Sequence, residues 1–359
     1  LSSFYGIRFI GESITTWLAE PAFDYLWKPL VKIISAALGG GGFIHNILVG
    51  KLISGDIDFV QSFGLLTTGL FVPLGMVFPF VFVFYLWLGI LEDIGYLPRL
   101  AVLLDRLMHK LGLHGWAIIP NLLGLGCNVP AILATRILED RRERLIACTL
   151  VSVALPCAAL QAMIWALVGN PAKGGGIGHV LIVYGVLFAS WLLIGWILAK
   201  ILPGTSPELL MEIPPYRRPY WPTVLKNLRL RITGFLREAI PIVLIGVLVV
   251  NILYWFKVFD ALASVTAPVM TKFLGLPKEA IVAVAVGFFR KDMAMGLLAT
   301  MDLTIKQLVV ASTVLAMFFP CIATFIVLIK EIGWRGMAFS VIVMIVFSML
   351  AGGMLNVIL

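Results

Sequence analysis

Charged residues are scarce in this chain of 359 amino acids. Aspartate, glutamate, lysine and arginine make up 13% of the sequence, whereas a soluble globular domain carries about 25%. Hydrophobic residues make up 61%. A water-soluble domain of this length needs a charged surface that the sequence lacks, and a disordered chain is also far less apolar. The composition excludes both classes and predicts an all-α integral membrane protein in a lipid bilayer.

The sequence also lacks the motifs of common enzymes. Its four histidines are scattered, and neither G-x-x-x-x-G-K-[ST], H-E-x-x-H nor G-x-S-x-G occurs. These absences exclude nucleotide and peptide hydrolysis, so we predict a protein that is not an enzyme and has no nucleotide site in this chain. The net charge of +8 is attributed to basic cytoplasmic loops and not to a nucleic-acid partner.

Six apolar runs are long enough to cross the hydrocarbon core, which takes about 20 helical residues. They cover residues 63–91, 144–168, 176–203, 232–256, 306–329 and 337–359. Two more runs, 113–135 and 278–300, are interrupted by glycine and proline or by charged residues. Non-helical backbone is tolerated at membrane depth only where protein or water surrounds it. Both are therefore predicted to be re-entrant hairpins or broken helices in a polytopic helical bundle.

The basic residues of the loops predict the orientation of the bundle. Lysine and arginine are concentrated in 136–144 and 200–231, whereas the loop at 169–176 contains a single lysine. The first two segments are therefore predicted to face the cytoplasm, and the third to face outward. Residues 1–62 and 257–277 then lie on the outer side.

Two stretches of the chain repeat one order of features. Leu111-Gly112-Leu113 precedes the first interrupted run and then Pro156-Cys157, and Leu274-Gly275-Leu276 precedes the second and then Pro320-Cys321. Each unit has three crossings, so the second unit is inverted relative to the first. Inverted repeats are typical of transporters, with the substrate site near the midplane between broken elements. We accordingly predict four parts: an outer-side amphipathic, interfacial segment (1–62), a first gate-like membrane repeat (63–203), a cytoplasmic linker (204–231) and a second gate-like membrane repeat (232–359).

The first interrupted run contains the most distinctive local sequence, GLGCNVPA. Gly124, Gly126 and Pro130 weaken the helix there. Cys127 and Asn128 add a thiol and an amide oxygen, which are soft and hard ligands suited to a borderline divalent cation. The alternative is a close helix crossing in which the cysteine is a small buried apolar residue.

The helix after each interrupted run contains a Pro-Cys pair. Pro156 and Pro320 remove a helical hydrogen bond, and Cys157 and Cys321 follow them directly. A single pair would be ordinary in a membrane helix. Two pairs at matching places in the repeats favour both cysteines as further metal ligands.

The second interrupted run carries charge at bilayer depth. Gly287 begins the sequence GFFRKDMAMG, in which Arg290, Lys291 and Asp292 are adjacent. Each such charge costs about 2.5–3.5 kcal/mol on insertion scales and points to function or to mutual pairing. Asp292 is therefore a candidate cation ligand or gate. The alternative is an ion pair with Lys291 or Arg290.

Several segments, taken in order, resemble the membrane region of the ferrous iron transport protein B family. These segments are LEDIGY (91–96), DRLM (105–108), GCNVPA (126–131), IPPYR (213–217), GFFRKD (287–292) and PCIAT (320–324). The resemblance implies uptake of Fe²⁺ through two gate domains of the kind shared with nucleoside transporters. In that family, the cysteines matching Cys127, Cys157 and Cys321 are proposed to line the iron path.

The resemblance also implies a location and partners. It places the chain in the inner (cytoplasmic) membrane of the cell, as a multi-pass protein. The family's amino-terminal GTP-binding domain is not part of this chain, so GTP is expected only where the full-length protein has that domain. Small accessory iron-transport proteins and a homo-oligomer are further expected partners.

Two other functions compete with iron transport. One is a gate-domain carrier of nucleosides or another small organic solute, and the other is a structural or signalling membrane module. A base and a ribose call for hydrogen-bonding and aromatic side chains, which are sparse near Gly126 and Gly287. A structural module gives no reason to interrupt two membrane segments with glycines and charges. Iron transport is therefore the favoured hypothesis.

Overall fold

The structure is a computed structural model that describes most of the chain. The described residues are 10–11, 13–37, 43–50, 64–169, 171, 174–204, 216–255, 271, 273–277, 280, 287, 294, 298, 301, 303–318 and 320–359.

The described residues form helices and no strand, which confirms the predicted all-α fold. The helices are α1 (13–37), α2 (Phe43–Leu48), α3 (68–93), α4 (Tyr96–Lys110), α5 (Ile118–Gly124), α6 (Asn128–Ala134), α7 (Arg141–Ala154), α8 (Ala158–Val168), α9 (Ile177–Ile201), α10 (Trp221–Trp255), α11 (Ile305–Met317) and α12 (Ile322–Ile358).

Three helices in the described part of the chain are long and apolar enough to cross a membrane. They are Gly69–Asp93 within α3, Ile177–Ile201 (α9) and Ala323–Ile358 within α12. These helices coincide with the first, third and last of the six predicted crossings, and α10 covers nearly all of the fourth. These long apolar helices confirm the membrane protein that the composition predicts.

The other two predicted crossings are each divided into two helices, so the prediction of one continuous helix is wrong, and their crossing of the membrane stays a prediction. The run 144–168 is divided into α7 and α8 at residues 155–157, and the run 306–329 is divided into α11 and α12 at residues 318–321. Proline causes both breaks, because it has no N–H to donate and its ring clashes with the preceding turn. Each new helix begins directly after the cysteine that follows the proline.

The predicted interruption of 113–135 is present as a break between α5 and α6 at residues 125–127. Most of the second interrupted run, 278–300, lies outside the described residues. Its predicted form, and its predicted meeting with the first run near the midplane, stay predictions.

A further break occurs inside α12 at Gly333. This residue has φ 72° and ψ 173°, which are non-helical angles that glycine adopts without a side-chain clash. The helix therefore has two parts, 322–332 and 334–358. The second part corresponds to the last predicted crossing.

Equivalent contacts in the two halves support the predicted repeat. Gly112 and Gly275, the central residues of the two Leu-Gly-Leu motifs, both have positive φ angles of 73° and 67°. Arg142 at the start of α7 donates to the Gly112 carbonyl (3.3 Å), and Gln307 at the start of α11 donates to the Gly275 carbonyl (3.3 Å). Each left-handed glycine is thus held by the first turn of the helix that leads to a Pro-Cys pair.

Arg142 also donates to the carbonyls of Leu202 (3.0 Å) and Ala199 (3.1 Å). Residues from the 112, 136–144 and 200–231 regions therefore meet at one end of the bundle. This agrees with the sequence-based orientation, in which 136–144 and 200–231 face the same side. The orientation itself stays a prediction.

The chain divides into two compact units, 1–96 with 215–258 and 97–214 with 259–359. The first unit brings Asp93 of the LEDIGY segment together with Arg217, the last residue of the IPPYR segment. The Asp93 carboxylate accepts hydrogen bonds from Arg217 Nη2 (2.7 Å) and from the Tyr220 N–H (2.6 Å). The second unit holds all of the described candidate site residues. The predicted four-part division follows the sequence repeat, not these units, and stays a prediction.

A buried ionic pair anchors the loop before α5 in the second unit. His114 Nδ1 bonds the Glu143 carboxylate, whose side chain is fully buried in the first turn of α7. This hydrogen bond raises the pKa of His114 against the opposing effect of burial, and the charges of Glu143, Asp105 and Glu139 add to the rise. The pair fixes one end of the interrupted run to α7, the helix that ends just before the first Pro-Cys pair.

Replacing His114 with glutamine is expected to destabilise the protein more at pH 6 than at pH 9. A group whose folded pKa is raised contributes all its stability below its unfolded pKa, about 6.5, and loses it as pH rises through the folded pKa. Thermal unfolding of His114→Gln and the unmodified protein in one detergent, at both pH values, measures the difference. Equal losses at the two pH values would contradict the assigned pair.

Candidate metal site

The three candidate cysteines share one backbone setting, which the sequence did not predict. Cys127, Cys157 and Cys321 are the residues immediately before α6, α8 and α12, and all three have extended backbone angles. The first N–H groups of a helix carry partial positive charge and stabilise an anion placed before them. Each thiol is therefore placed where the helix start favours a thiolate, while burial opposes it.

Cys127 lies near both of the other candidate cysteines. Its sulfur is close enough to Cys321 and to Cys157 for a negative charge on either one to disfavour a charge on Cys127. In the packing of the second unit, α6 contacts α12 and α8 contacts α11. Thiols from both sequence repeats therefore lie in one region, as an iron path between the repeats requires.

The fourth cysteine is placed differently. Cys148 is buried and its sulfur lies 3.3 Å from the Thr135 hydroxyl, whereas the other three cysteines are half-buried residues. A partly exposed thiol can be reached by an ion, and a buried one behaves as a small apolar residue. Cys148 is therefore the natural internal control for the other three.

The thiols do not form a closed cage. Within the described ranges, no three histidine, cysteine, aspartate or glutamate side chains lie close enough together to hold a metal ion. The arrangement instead offers single ligands distributed in one region. Such a set suits an ion that is passed along, since release requires weak binding at each place.

Asn128 supplies an unused ligand beside Cys127. It is the first residue of α6, it is 5% exposed, and its Oδ1 atom is buried with no hydrogen-bond partner among the described residues. A buried polar atom without a partner costs about 1–3 kcal/mol. An amide oxygen is also a hard donor that a divalent cation accepts. The orphaned oxygen therefore fits the predicted role of Asn128.

Hydrogen bonds brace the two breaks of the first repeat against each other. Gln161 Nε2 donates to the carbonyls of Leu125 (2.8 Å) and Pro156 (2.9 Å). The Ala158 N–H at the start of α8 donates to the Gly126 carbonyl (3.0 Å). These bonds satisfy backbone groups that the breaks at Gly126 and Pro156 expose, and they hold Cys127 and Cys157 in place.

The glycines of the two interrupted runs make corresponding close contacts. A Cβ atom on Gly124 would lie 3.2 Å from Val151 Cγ1, and one on Gly287 would lie 2.4 Å from Leu315 Cδ1. Val151 and Leu315 each stand five residues before the proline of their Pro-Cys pair. Gly124 and Gly287 therefore each lie against the helix that ends at a Pro-Cys break, and glycine permits the close approach.

The remaining predicted site residues have these placements. Pro130 is buried in the first turn of α6, where proline is tolerated, so the break lies before it at 125–127. Pro320 is buried in the break before α12. Asp292, with Arg290 and Lys291, lies outside the described residues, and its role stays a prediction.

One polar neighbour of the site was missed from the sequence. The Thr324 hydroxyl lies 3.1 Å from Cys321 Sγ, three residues along α12. Residues three apart in a helix lie on one face, so Thr324 is expected beside Cys321 once α12 is known to begin directly after that cysteine.

Two family models match the chain. The model described as Gate, nucleoside recognition, matches residues 74–171 and 236–335, one segment in each predicted repeat and more than half of the chain together. The model described as ferrous iron transport protein B C terminus matches residues 180–231. No solved structure matches the chain.

Curated relatives are similar over most of the chain. The Fe(2+) transporter FeoB of Methanocaldococcus jannaschii is 31% identical over 357 residues, which covers 89% of this chain and 50% of the relative. The FeoB of Staphylococcus aureus (strain COL) is 33% identical, covering 65% of this chain and 36% of the relative. A Porphyromonas gingivalis protein, a fusion of Fe(2+) transport protein A and FeoB, is 32% identical, covering 70% and 25%. The chain thus spans half or less of the length of these relatives.

Proposed function

Because the chain belongs to the Gate family and is a membrane region of the ferrous iron transport protein B type, we propose that it forms the path by which Fe²⁺ crosses the membrane into the cytoplasm. The relatives are named as Fe(2+) transporters. The proposal extends that activity to the part of the protein present in this chain.

The observation that carries the proposal is the convergence of three half-buried cysteines, each directly before a helix start. Cys127 and Cys157 come from the first repeat and Cys321 from the second, and Cys127 lies near both of the others. Thiolates and an amide oxygen suit Fe²⁺, which is softer than Mg²⁺ or Ca²⁺ and accepts both sulfur and oxygen. A nucleoside would instead call for several hydrogen-bonding side chains around its base and ribose.

The residues support a stepwise passage of the ion. Arriving Fe²⁺ would replace water with the Asn128 oxygen and the Cys127 thiol, which would lose its proton as the ion binds. The helix start behind the thiol stabilises the thiolate. Exchange to Cys321 or Cys157 then moves the ion without a site that binds all three ligands at once. We place Asp292 in the same path on sequence grounds alone.

Uptake into liposomes tests the proposal directly. The purified chain, reconstituted in liposomes under reducing conditions, should carry Fe²⁺ inward at a rate well above protein-free vesicles. Mg²⁺ should not be carried, because it retains its water and avoids sulfur. Parallel assays with radiolabelled nucleosides provide the comparison. Uptake of nucleosides without Fe²⁺ would overturn the proposal.

We further propose that the protein is a multi-pass protein of the inner membrane with residues 136–144 and 200–231 in the cytoplasm. A cysteine introduced into the 169–176 loop should react with an impermeant thiol reagent added to intact cells, and one introduced into 205–225 should not. The unmodified protein supplies the background from native thiols. The reverse pattern would contradict both the orientation and the inverted repeat.

The proposed partners act from outside this chain. A GTP-binding domain is proposed as a partner of this membrane region, since the relatives are at least twice as long as the matched region. Small accessory iron-transport proteins are proposed because one relative is fused to Fe(2+) transport protein A. A homo-oligomer is also proposed, and a crosslinking study in membranes would detect it.

A further inference from the structure

Two helices leave the thiol region side by side and are joined again at their other ends. α6 begins after Cys127 and, with the turn that follows it, reaches Arg136. The first part of α12 begins after Cys321 and reaches Glu331, ten residues or about 15 Å further along. The two helices pack against each other. The ends of the two helices are therefore the natural place to open or close a path from the thiols.

An ion pair closes this end. Arg136 donates from both Nε (2.9 Å) and Nη2 (2.5 Å) to one carboxylate oxygen, Oε1 of Glu331. Charge-assisted bonds from a guanidinium fork are among the strongest side-chain contacts in proteins. The pair links the first repeat to the second, whereas Gln161 and Ala158 brace only the first.

The two partners differ in their exposure. The Glu331 side chain is 6% exposed and the Arg136 side chain is 48% exposed. Breaking the pair would leave a nearly buried carboxylate without its strongest contact, which is unfavourable unless the carboxylate turns toward water. The pair is therefore bistable: it is either formed and shielded, or broken and hydrated.

A break in the helix lies next to the pair. Gly333, two residues after Glu331, has φ 72° and divides α12 into two parts. The first part, with Cys321 at one end and Glu331 at the other, can therefore tilt without unwinding the second part. In this structure the pair is formed.

We propose that Arg136 and Glu331 form the gate at the cytoplasmic end of the ion path and that the gate is closed in the structure. The inference rests on the proposed function for the identity of the ion, and it adds the residues that control its release. Opening separates the first part of α12 from the end of α6. Water then reaches the thiols from the face that carries the 136–144 loop.

Thiol labelling tests the gate without any need for iron to move. Proteoliposomes are treated with an impermeant maleimide from the face that carries the 136–144 loop, and the labelled cysteine is identified by mass spectrometry. Glu331→Gln and Arg136→Gln should each label Cys127, Cys157 or Cys321 about tenfold faster than the unmodified protein, equivalent to about 1.4 kcal/mol of gate stability. The exchanged pair Arg136→Glu with Glu331→Arg should return the rate to the original.

A matched control comes from the other compact unit. Arg231 and Glu92 form an ion pair of 2.7 Å with side chains 32% and 44% exposed. Glu92→Gln should leave the labelling rate unchanged. If Glu331→Gln also lowers the midpoint of thermal unfolding in detergent, the fold is disturbed. Arg136→Lys, which keeps the charge but loses the planar fork, then takes its place in the same comparison.

The outcomes separate the gate from the transport function. Unchanged labelling in the single variants, or an exchanged pair that labels as fast as the singles, overturns the gate even if Fe²⁺ is carried. Faster labelling that the exchanged pair reverses supports the gate even if the unmodified protein carries no Fe²⁺, in which case the proposed function fails alone.

Discussion

Cys127→Ser is expected to reduce the inward flux of Fe²⁺ by about 10–100-fold, the range typical when a metal site loses an important group. Serine has nearly the same shape as cysteine, so the helix start at α6 and its packing should persist. Its hydroxyl does not ionise near neutral pH, however, and it offers a hard oxygen in place of a soft sulfur. The maximal rate should fall, and the concentration of Fe²⁺ that gives half of that rate should rise.

Cys148→Ser is the matched control for this experiment. It makes the same chemical change at a buried thiol that contacts Thr135 and lies outside the cluster of the other three. Flux should stay within about twofold of the unmodified protein when insertion into the vesicles is equal. Similar losses in both variants would mean that Cys127 is a packing residue and would remove the main support for the proposed path.

Asn128→Leu is expected to lower Fe²⁺ flux by at least about tenfold while the protein becomes no less stable. In the part of the chain that the structure describes, the Oδ1 atom is buried and has no hydrogen-bond partner. Leucine, which is close in size, therefore removes an unfavourable buried oxygen worth about 1–3 kcal/mol. Flux should fall because the ion loses an oxygen ligand. Opposite changes in stability and transport are the mark of a residue retained for function.

Two measurements on one preparation check this expectation. Thermal unfolding in detergent should give an equal or higher midpoint for Asn128→Leu, and liposome uptake should give a lower rate. Asn121→Leu is a suitable contrast, because Asn121 accepts a hydrogen bond from Trp191 Nε1 (3.1 Å) and donates to the Ala117 carbonyl (2.7 Å). That variant should be destabilised. A destabilised Asn128→Leu with normal flux would contradict a ligand role.

Much of the fold follows from the sequence because membrane crossing depends mainly on the length of an apolar run. A run of about 20 apolar residues is visible without knowledge of packing, and the break at Gly126 follows from glycine and proline chemistry. The breaks at Pro156 and Pro320 were harder to predict from the sequence. Proline in a membrane helix produces either a kink or a full break, and only the surrounding packing decides which of the two forms.

The site was predictable in composition and less so in geometry. The thiols of Cys127, Cys157 and Cys321 stood out because they recur beside prolines and glycines. Their common place before a helix start was not visible until the ends of α6, α8 and α12 were fixed. The Arg136–Glu331 pair joins residues 195 apart in the chain, and no local pattern signals such a contact.

The placement of three helix starts around one region has a consequence for unwanted ions. The backbone N–H groups at the starts of α6, α8 and α12 present partial positive charge to that region. Na⁺ and K⁺ bind sulfur poorly and do not displace the proton of a thiol, so they meet this positive field with no thiolate to offset it. A transition-metal cation generates its own counter-charge by releasing that proton. The same backbone that prepares the thiols would thus act as a barrier to the alkali ions that surround the cell in great excess.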